Sequence, residues 1–303
     1  MSATDSTSRN AKLLRLATYA SVITAIVLIV AKLLAWLWTD SVSLLATLID
    51  STLDAAASIM NLLAVRHSLQ PADKEHRFGH GKAESLAGLG QSTFIAGSAG
   101  FLFLQAVGRL LHPQQPQVVG VGIAVMVFSI FVTITLLLLQ RHVVAKTAST
   151  AIKADSLHYQ TDVLMNISVI IALVLSSQGW PGFDPLFAIV IVFFILYSAK
   201  SIAVESIQDL MDRELPDDDR KRIESTVLSH KSVRGMHDLR TRRSGTISFI
   251  QLHLELDDEL TLARAHEISD DVEADILKEF PNAEVIIHAD PTGVVESIPE
   301  FTE

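Results

Sequence analysis

The sequence predicts a membrane protein, an all-α bundle of six transmembrane helices followed by a small α+β domain outside the bilayer. Two observations lead to this fold class. Only 19% of the 303 residues are charged, whereas soluble proteins carry about 25%, and the mean hydropathy is +0.37. The charges are also unevenly placed, because they are sparse up to about Leu210 and dense from Arg213 onward.

A helix needs about 20 mostly apolar residues to cross a bilayer. Six segments meet this requirement: Leu13–Trp38, Val42–Val65, Ala83–Leu111, Val118–Val143, Ala151–Ser177 and Pro185–Leu210. The first is too long for a signal-peptide core and lacks a small-residue cleavage site, so we expect it to be retained. An even number of spans places both termini on one side of the membrane.

Lysine and arginine predict the orientation. They cluster in three regions, before the first span, between the second and third spans, and between the fourth and fifth spans. Their members are Arg9, Lys12, Arg15, Arg66, Lys74, Arg77, Lys82, Arg141, Lys146 and Lys153. The first and fifth loops carry none. Because basic loops stay in the cytoplasm, we expect both termini and the acidic C-terminal domain there.

The predicted division of the chain has four parts. Residues 1–11 form an N-terminal tail, residues 12–212 the membrane domain with a polar loop at about 67–82, residues 213–291 the C-terminal domain, and residues 292–303 a loose tail.

The C-terminal domain is predicted to have the order α-β-β-α-β. Acidic residues after Pro216 suit the start of a helix. Two alternating segments flank Ser244-Gly245 and predict a hairpin, and AEVIIHAD predicts the last strand. The second helix has an apolar stripe that we expect to be buried. Its members are Leu262, Ile268, Val272, Ile276 and Leu277.

Four ionisable residues lie inside apolar spans. Asp50 and Asp54 are four residues apart, as are His158 and Asp162, and this spacing puts each pair on one helix face. A charge at membrane depth costs roughly 2.5–3.5 kcal/mol on insertion scales and needs a partner. Three carboxylates and one imidazole suit a divalent cation. A purely structural network is the alternative, but glycine, serine and threonine specify helix packing at lower cost.

The polar loop between the second and third spans offers three more potential ligands. Asp73, His76 and His80 lie within eight residues, and Gly79 and Gly81 allow the chain to fold back. The sequence leaves open whether these residues bind a metal or simply face water.

A third group lies in the C-terminal domain. Its members are His237 and His253 on the hairpin, His266 on the second helix, and His288 and Asp290 on the last strand. A single histidine on a strand is usually structural, but five potential ligands in so small a domain favour a metal site. The chain has 11 histidines and no cysteine, so thiolate sites and disulfides are excluded. His67, His112, His142 and His230 show no such grouping, and we expect them to be solvated or interfacial.

Four motifs occur together in the chain: DSTLD at 50–54, RFGHGKAE at 77–84, HYQTD at 158–162 and VIIHADP at 285–291. Their combination resembles the cation diffusion facilitator family, most closely its bacterial ferrous-iron and zinc efflux branch. The resemblance covers roughly residues 12–291.

The resemblance implies a homodimer in the bacterial inner membrane whose cytoplasmic domain is similar to a metallochaperone. It implies export of Zn²⁺, and also of Cd²⁺ or Fe²⁺, in exchange for protons, with Zn²⁺ as a structural or regulatory ion too.

By position, the resemblance also implies three metal sites. Asp50, Asp54, His158 and Asp162 match the transport site; Asp73, His76 and His80 match a loop site; and His237, His253, His266, His288 and Asp290 match a cytoplasmic binuclear site with His253 bridging two ions. Lys82 and Asp212 match a charged pair that joins the membrane and cytoplasmic parts at the dimer interface. One departure is Ala289, where relatives often have glutamine, which predicts a weaker cytoplasmic site.

Two other function classes compete with metal transport. A membrane metal sensor with a purely structural bilayer site stays open. A metal-dependent intramembrane hydrolase lacks a nucleophile or general base apart from the metal ligands, so we expect no enzyme. The net charge of −10 argues against nucleic-acid partners.

Overall fold

The structure, a computed structural model, describes residues 3–40, 42–111, 120–178 and 183–293. Six long helices come first: α1 (Ala3–Thr39), α2 (Val42–Ser68), α3 (Ala83–Leu111), α4 (Gly120–Thr147), α5 (Thr150–Ser177) and α6 (Phe183–Leu210). Each contains a stretch of 22 to 31 residues that is long and apolar enough to cross a membrane. The predicted six-span fold class is therefore confirmed. The predicted start of the fourth span, Val118, lies outside the described residues.

The observed helices extend past the apolar segments. α1 begins at Ala3, within the polar N-terminal segment, and α2 and α4 continue to Ser68 and Thr147. The connection between α4 and α5 is only Ala148 and Ser149, and Ala148 adopts a left-handed conformation with φ 50°. The Ser149 hydroxyl accepts a hydrogen bond from the backbone N–H of Ile152 at 3.3 Å, so this serine caps the start of α5.

The six-helix unit has an apolar exterior and an interior in which buried apolar side chains are mixed with small and polar residues. Large side chains such as Leu104 and Phe131 are 69% and 72% exposed, as expected for a surface that faces lipid. Inside, α3 approaches α5 and α6 closely at Gly88, where an added Cβ would lie 2.8 Å from Ser206 Oγ. Small residues allow this separation.

The chain forms two compact units, Asn10–Ile207 and a second that contains Gln208–Glu303. The second unit contains α7 (Asp217–Leu228), β1 (Gly235–Ser244), β2 (Ile247–Leu256), α8 (Leu262–Glu279) and β3 (Ala283–Pro291), which confirms the predicted order. The sheet order is β1-β2-β3, with β1 antiparallel and β3 parallel to β2. Gly245, in the hairpin turn, has φ 59°, which glycine adopts without steric cost.

The core of this unit is formed by one face of the sheet and by α7 and α8. It contains Leu215, Ile223, Val227, Ile250, Leu252, Leu254, Leu256, Ile268, Val272 and Ile276. The prediction for α8 was wrong at Leu262, which is 88% exposed. Leu262 is the first residue of the helix, directly after the capping residue Thr261, so the helical period does not carry it onto the sheet.

Candidate metal centres

The first cluster lies within the membrane-spanning helices. Asp54 on α2 and His158 and Asp162 on α5 each offer one ligand atom, and these atoms lie within 4.8 Å of one another. His158 Nε2 is 2.9 Å from Asp54 Oδ1, and His158 is only 8% exposed. Asp50 lies one turn before Asp54 on α2, but it is exposed and outside this group. The structure thus brings together three of the four predicted residues.

Neighbouring side chains fix the position of the imidazole. The Phe94 ring packs edge-on against His158 with centroids 6.3 Å apart. The adjacent Tyr159 is 1% exposed, and its hydroxyl lies 2.9 Å from Ser58 Oγ on α2. These contacts hold the histidine-bearing face of α5 against α2.

Two further ionisable residues in the spans went unnoticed in the sequence. Lys32 on α1 donates hydrogen bonds to the Thr47 carbonyl at 3.3 Å and to Ser51 Oγ at 2.5 Å. Asp155 on α5 is completely buried. The signal that identifies them is the high cost of an ionisable residue at membrane depth, which makes each one a potential functional group.

The second cluster is in the loop between α2 and α3. Ligand atoms of Asp73, His76 and His80 lie within 4.8 Å of one another, and His80 Nε2 is 3.4 Å from Asp73 Oδ2. Asp73 Oδ1 accepts hydrogen bonds from the backbone N–H groups of His76 at 2.6 Å and Glu75 at 2.9 Å. The bond from His76, followed by that from Glu75, lowers the pKa of Asp73 below its usual range, which keeps the carboxylate charged and able to bind a cation.

His80 differs from its two partners because it is buried, at 8% exposure. Its Nδ1 atom has no hydrogen-bond partner among the described residues, which suits a metal ligand. Gly79, with φ 76°, supplies the sharp turn between the two histidines. The His67 ring lies 4.7 Å from that of His80, and His67 is exposed, as the sequence predicted.

The third cluster is built on the sheet of the C-terminal unit. His237 pairs with His253 across β1 and β2, and His253 pairs with His288 across β2 and β3. Directly paired residues point to the same face of a sheet, so the three imidazoles form a row. Since Leu252 and Leu254 are buried on the other face, the row lies opposite the hydrophobic core.

Asp290 connects this row. Its Oδ2 atom lies 2.8 Å from His253 Nδ1 and 3.6 Å from His237 Nε2, and its Oδ1 atom lies 3.1 Å from His288 Nε2. Ligand atoms of His237, His253 and Asp290 lie within 4.8 Å of one another. His237 Nε2 is buried without a hydrogen-bond partner in the described part of the chain. This free nitrogen beside a carboxylate fits a bound divalent ion.

Two predicted features of the third cluster are placed differently. His266 on α8 is exposed and pairs with Asp270 at 3.6 Å, and α8 packs on the core face of the sheet, so His266 does not join the row within one chain. Ala289 alternates with His288 and Asp290 along β3. A glutamine at this position would therefore point away from the histidines, and the weakening of the site by Ala289 stays a prediction.

The predicted charged pair falls on two different units, Lys82 at the start of α3 and Asp212 after α6. Within its own unit, Asp212 forms an ion pair with Arg242, with Arg242 Nη1 at 3.3 Å from Asp212 Oδ1. The pairing of Lys82 with Asp212 stays a prediction.

Comparison with known families agrees with the division into a membrane part and a C-terminal domain. Residues 18–211 match the cation efflux transmembrane domain, and residues 215–292 match the cytoplasmic domain of cation efflux proteins. The chain belongs to the cation efflux family. The resemblance predicted from the sequence is thereby confirmed.

Individual relatives in the cation efflux family cover nearly the whole chain. A protein from Klebsiella pneumoniae (strain 342) named Cation-efflux pump FieF is 52% identical over 284 residues, which is 94% of this chain and 95% of the relative. A Serratia proteamaculans (strain 568) protein of the same name is 53% identical over 285 residues, with the same coverage. Among solved structures, the metal-bound C-terminal domain of a CzcD transporter from Thermotoga maritima is 32% identical over 26% of this chain and 93% of that chain, with a TM-score of 0.25.

Membership of the cation efflux family defines the general class of this protein. It is a multi-pass inner-membrane transporter with metal cations as its substrates. The three clusters of histidines and carboxylates have the chemistry that such substrates require.

Proposed function

We propose that this protein exports divalent transition-metal cations from the cytoplasm in exchange for protons, with Zn²⁺ as the principal substrate and Cd²⁺ and Fe²⁺ as further substrates. The observation that carries the proposal is the group of Asp54, His158 and Asp162, whose ligand atoms lie within 4.8 Å of one another in apolar helices. A cluster of this kind in the bilayer is a site on an ion pathway rather than a packing device.

The ligand chemistry supports this choice of metal. One imidazole nitrogen and carboxylate oxygens suit the tetrahedral geometry of Zn²⁺, whereas Mg²⁺ prefers six oxygen ligands and keeps its water. Asp50 is the proposed fourth ligand. It lies one turn from Asp54 on the same helix face, so a change of side-chain rotamer with a small shift of α2 would bring its carboxylate to the group.

Proton exchange follows from competition for the ligands. Imidazole and carboxylate must be deprotonated to bind a metal, so metal and protons displace each other. In the proposed cycle, metal enters from the cytoplasm, the helices rearrange, and protons from the outside release it. The basic loops support a cytoplasmic position of both termini, and with this orientation an inward proton gradient would drive export.

The C-terminal unit and the loop have proposed supporting roles. His237, His253, His288 and Asp290 would hold one or two Zn²⁺ ions that stabilise the sheet, with His253 in the centre of the row. In the proposed homodimer, His266 would contribute only to the partner's cluster, because α8 lies on the other face of its own sheet. Asp73, His76 and His80 would collect metal on the cytoplasmic side, and Lys82 with Asp212 would link the two units.

The test is metal flux in proteoliposomes that contain the purified full chain. We expect Zn²⁺ uptake in stoichiometric excess over protein when an opposing pH gradient is imposed, a smaller flux without the gradient, and none with Mg²⁺. A metal sensor, the alternative function, would bind about one equivalent per site and move no excess metal. A Zn²⁺ flux of the same size with and without the pH gradient would contradict proton exchange but would still support metal transport.

A further inference from the structure

Asp155 on α5 has an environment that the metal clusters do not explain. It lies three residues before His158, is 0% exposed, and is surrounded by three other helices. Its Oδ2 atom accepts hydrogen bonds from Ser21 Oγ on α1 and Gln140 Nε2 on α4, both at 2.7 Å. Its Oδ1 atom accepts one from Gln91 Nε2 on α3 at 3.2 Å.

The three side chains that donate to Asp155 are all neutral. The pocket around the carboxylate contains more hydrogen-bond acceptors than donors. Gln91 and Gln140 are also 0% exposed, and the carbonyl oxygen of each has no hydrogen-bond partner among the described residues. In the same part of the chain no cationic side chain pairs with Asp155. A buried carboxylate beside two carbonyl oxygens without hydrogen-bond partners would be stabilised by one bound proton or cation.

The charged and titratable groups near Asp155 are few. His158 and Tyr159 lie on its own helix. The helices packed against it contribute Ser21, Gln91 and Gln140, which do not titrate in the physiological range. Among the described residues, no hydrogen bond or ion pair joins Asp155 to Asp54, His158 or Asp162, although His158 is close enough for its charge to act on Asp155.

We propose that Asp155 binds one further counter-transported proton, in addition to the protons that compete with metal for Asp54, His158 and Asp162. This inference rests on the proposed function and adds to it a second proton-binding residue. The carboxylate takes up one proton from one side of the membrane to become a carboxylic acid, and it returns that proton to the other side. No other covalent bond is formed or broken.

The two glutamines suit both protonation states. In the present arrangement their Nε2 groups donate to the carboxylate. A half-turn of the Gln140 amide about its terminal bond would place its carbonyl oxygen where Nε2 now lies, 2.7 Å from Asp155 Oδ2. There it accepts the O–H of the carboxylic acid. The two states thus differ in how α4 is bonded to α5, which couples protonation to helix packing.

The experiment uses the full chain in proteoliposomes and compares wild type with Asp155→Asn, which keeps the shape but cannot titrate. Two fluxes are measured, exchange of Zn²⁺ for labelled Zn²⁺ at equal pH and net Zn²⁺ uptake against a pH gradient. We expect exchange within about twofold of wild type and a stimulation by the gradient that is reduced about twofold or more, because the protons that compete at the metal ligands remain. Asp155→Glu, which retains a carboxyl group, should restore part of that stimulation.

Three results would overturn the inference. Stimulation of Asp155→Asn equal to that of wild type means that the proton binds elsewhere. Loss of both fluxes in a variant that still binds Zn²⁺ means that Asp155 serves packing alone. A wild type without any response to the gradient rejects the proposed proton exchange itself, so the failures of the two proposals are distinguishable.

If Asp155→Asn does not fold, Gln140→Leu provides the test. It leaves the carboxyl group but removes a hydrogen bond in both protonation states. The bond to the ionised form is charge-assisted and the stronger of the two, so its loss causes the proton to be held more tightly. The midpoint of the pH dependence of gradient-driven flux should move to higher pH by about half a unit or more. An unchanged midpoint overturns the inference.

Discussion

At the scale of single residues, two of the potential metal ligands in the bilayer site lie within hydrogen-bond distance of each other. His158 Nε2 lies 2.9 Å from Asp54 Oδ1, and the two side chains are only 10% and 13% exposed. A metal ion must replace this contact, because the same two atoms would become its ligands. Replacing only one of these two side chains should therefore lower the stability of the protein, because the other is left buried without a partner.

The first prediction concerns Asp54. Asp54→Asn removes an anionic ligand while keeping the side-chain shape, so Zn²⁺ transport in proteoliposomes should fall by about tenfold or more. Asp40→Asn is the control with the same chemical change, because Asp40 directly follows the end of α1 and is exposed and outside the three clusters. The control should transport at the wild-type rate. Undiminished flux in Asp54→Asn would remove Asp54 from the transport site.

At the scale of secondary-structure elements, the sheet of the C-terminal unit uses one face for the hydrophobic core and the other for the histidine row. On β2, Leu252 and Leu254 are at most 1% exposed, while His253 between them points to the other face. On α8, Ile268, Val272 and Ile276 are buried and complete the core. The sheet can therefore carry a row of histidines without any loss of apolar packing.

The second prediction tests this division on α8. Ile276 is 0% exposed and Leu262 is 88% exposed, although the sequence pattern placed both on one stripe. Ile276→Ala should lower the free energy of unfolding of the C-terminal unit by about 2–5 kcal/mol, because it creates a cavity. Leu262→Ala should change it by less than about 0.5 kcal/mol. Denaturant unfolding of the fragment from Arg213 onward measures both, and equal effects would contradict the observed packing.

At the scale of the whole molecule, the protein combines one unit that is surrounded by lipid with one that is surrounded by water. The unit Asn10–Ile207 exposes large apolar side chains and requires lipid, whereas the unit that follows has a core formed entirely by residues from Leu215 onward. We therefore expect the C-terminal part to fold on its own. Its histidine row lies outside the spans, so it cannot itself carry metal across the bilayer.

The third prediction concerns metal binding by that fragment. Zn²⁺ should raise its melting temperature, and the stabilisation should grow with the logarithm of free metal, reaching about 2.7 kcal/mol at one hundred times the dissociation constant. His253→Ala should remove most of the gain, because His253 lies between His237 and His288. Mg²⁺ serves as the control and should have little effect. An identical melting temperature with and without Zn²⁺ would leave these histidines as ordinary strand residues.

The sequence was most informative where a local pattern has a single physical explanation. Apolar length located six spans, since a shorter or more polar helix cannot cross a bilayer. Alternation and turn residues located the hairpin around Gly245. The pattern failed at Leu262, because helical period alone does not show where the first turn lies relative to the sheet. It also left Asp155 unexplained, because its partners Ser21, Gln91 and Gln140 lie on three other helices.

The sequence by itself determined the membrane class, the order of elements and the residue types able to bind a metal, because these follow from composition and from spacing along one helix or strand. Only the tertiary structure decided which of them meet. It joined Asp54 to His158 across 104 residues of chain, left Asp50 and His266 outside their groups, and enclosed Asp155 among three other helices. Such contacts depend on helix rotation and strand register, which are set by packing across the whole unit rather than by any local pattern.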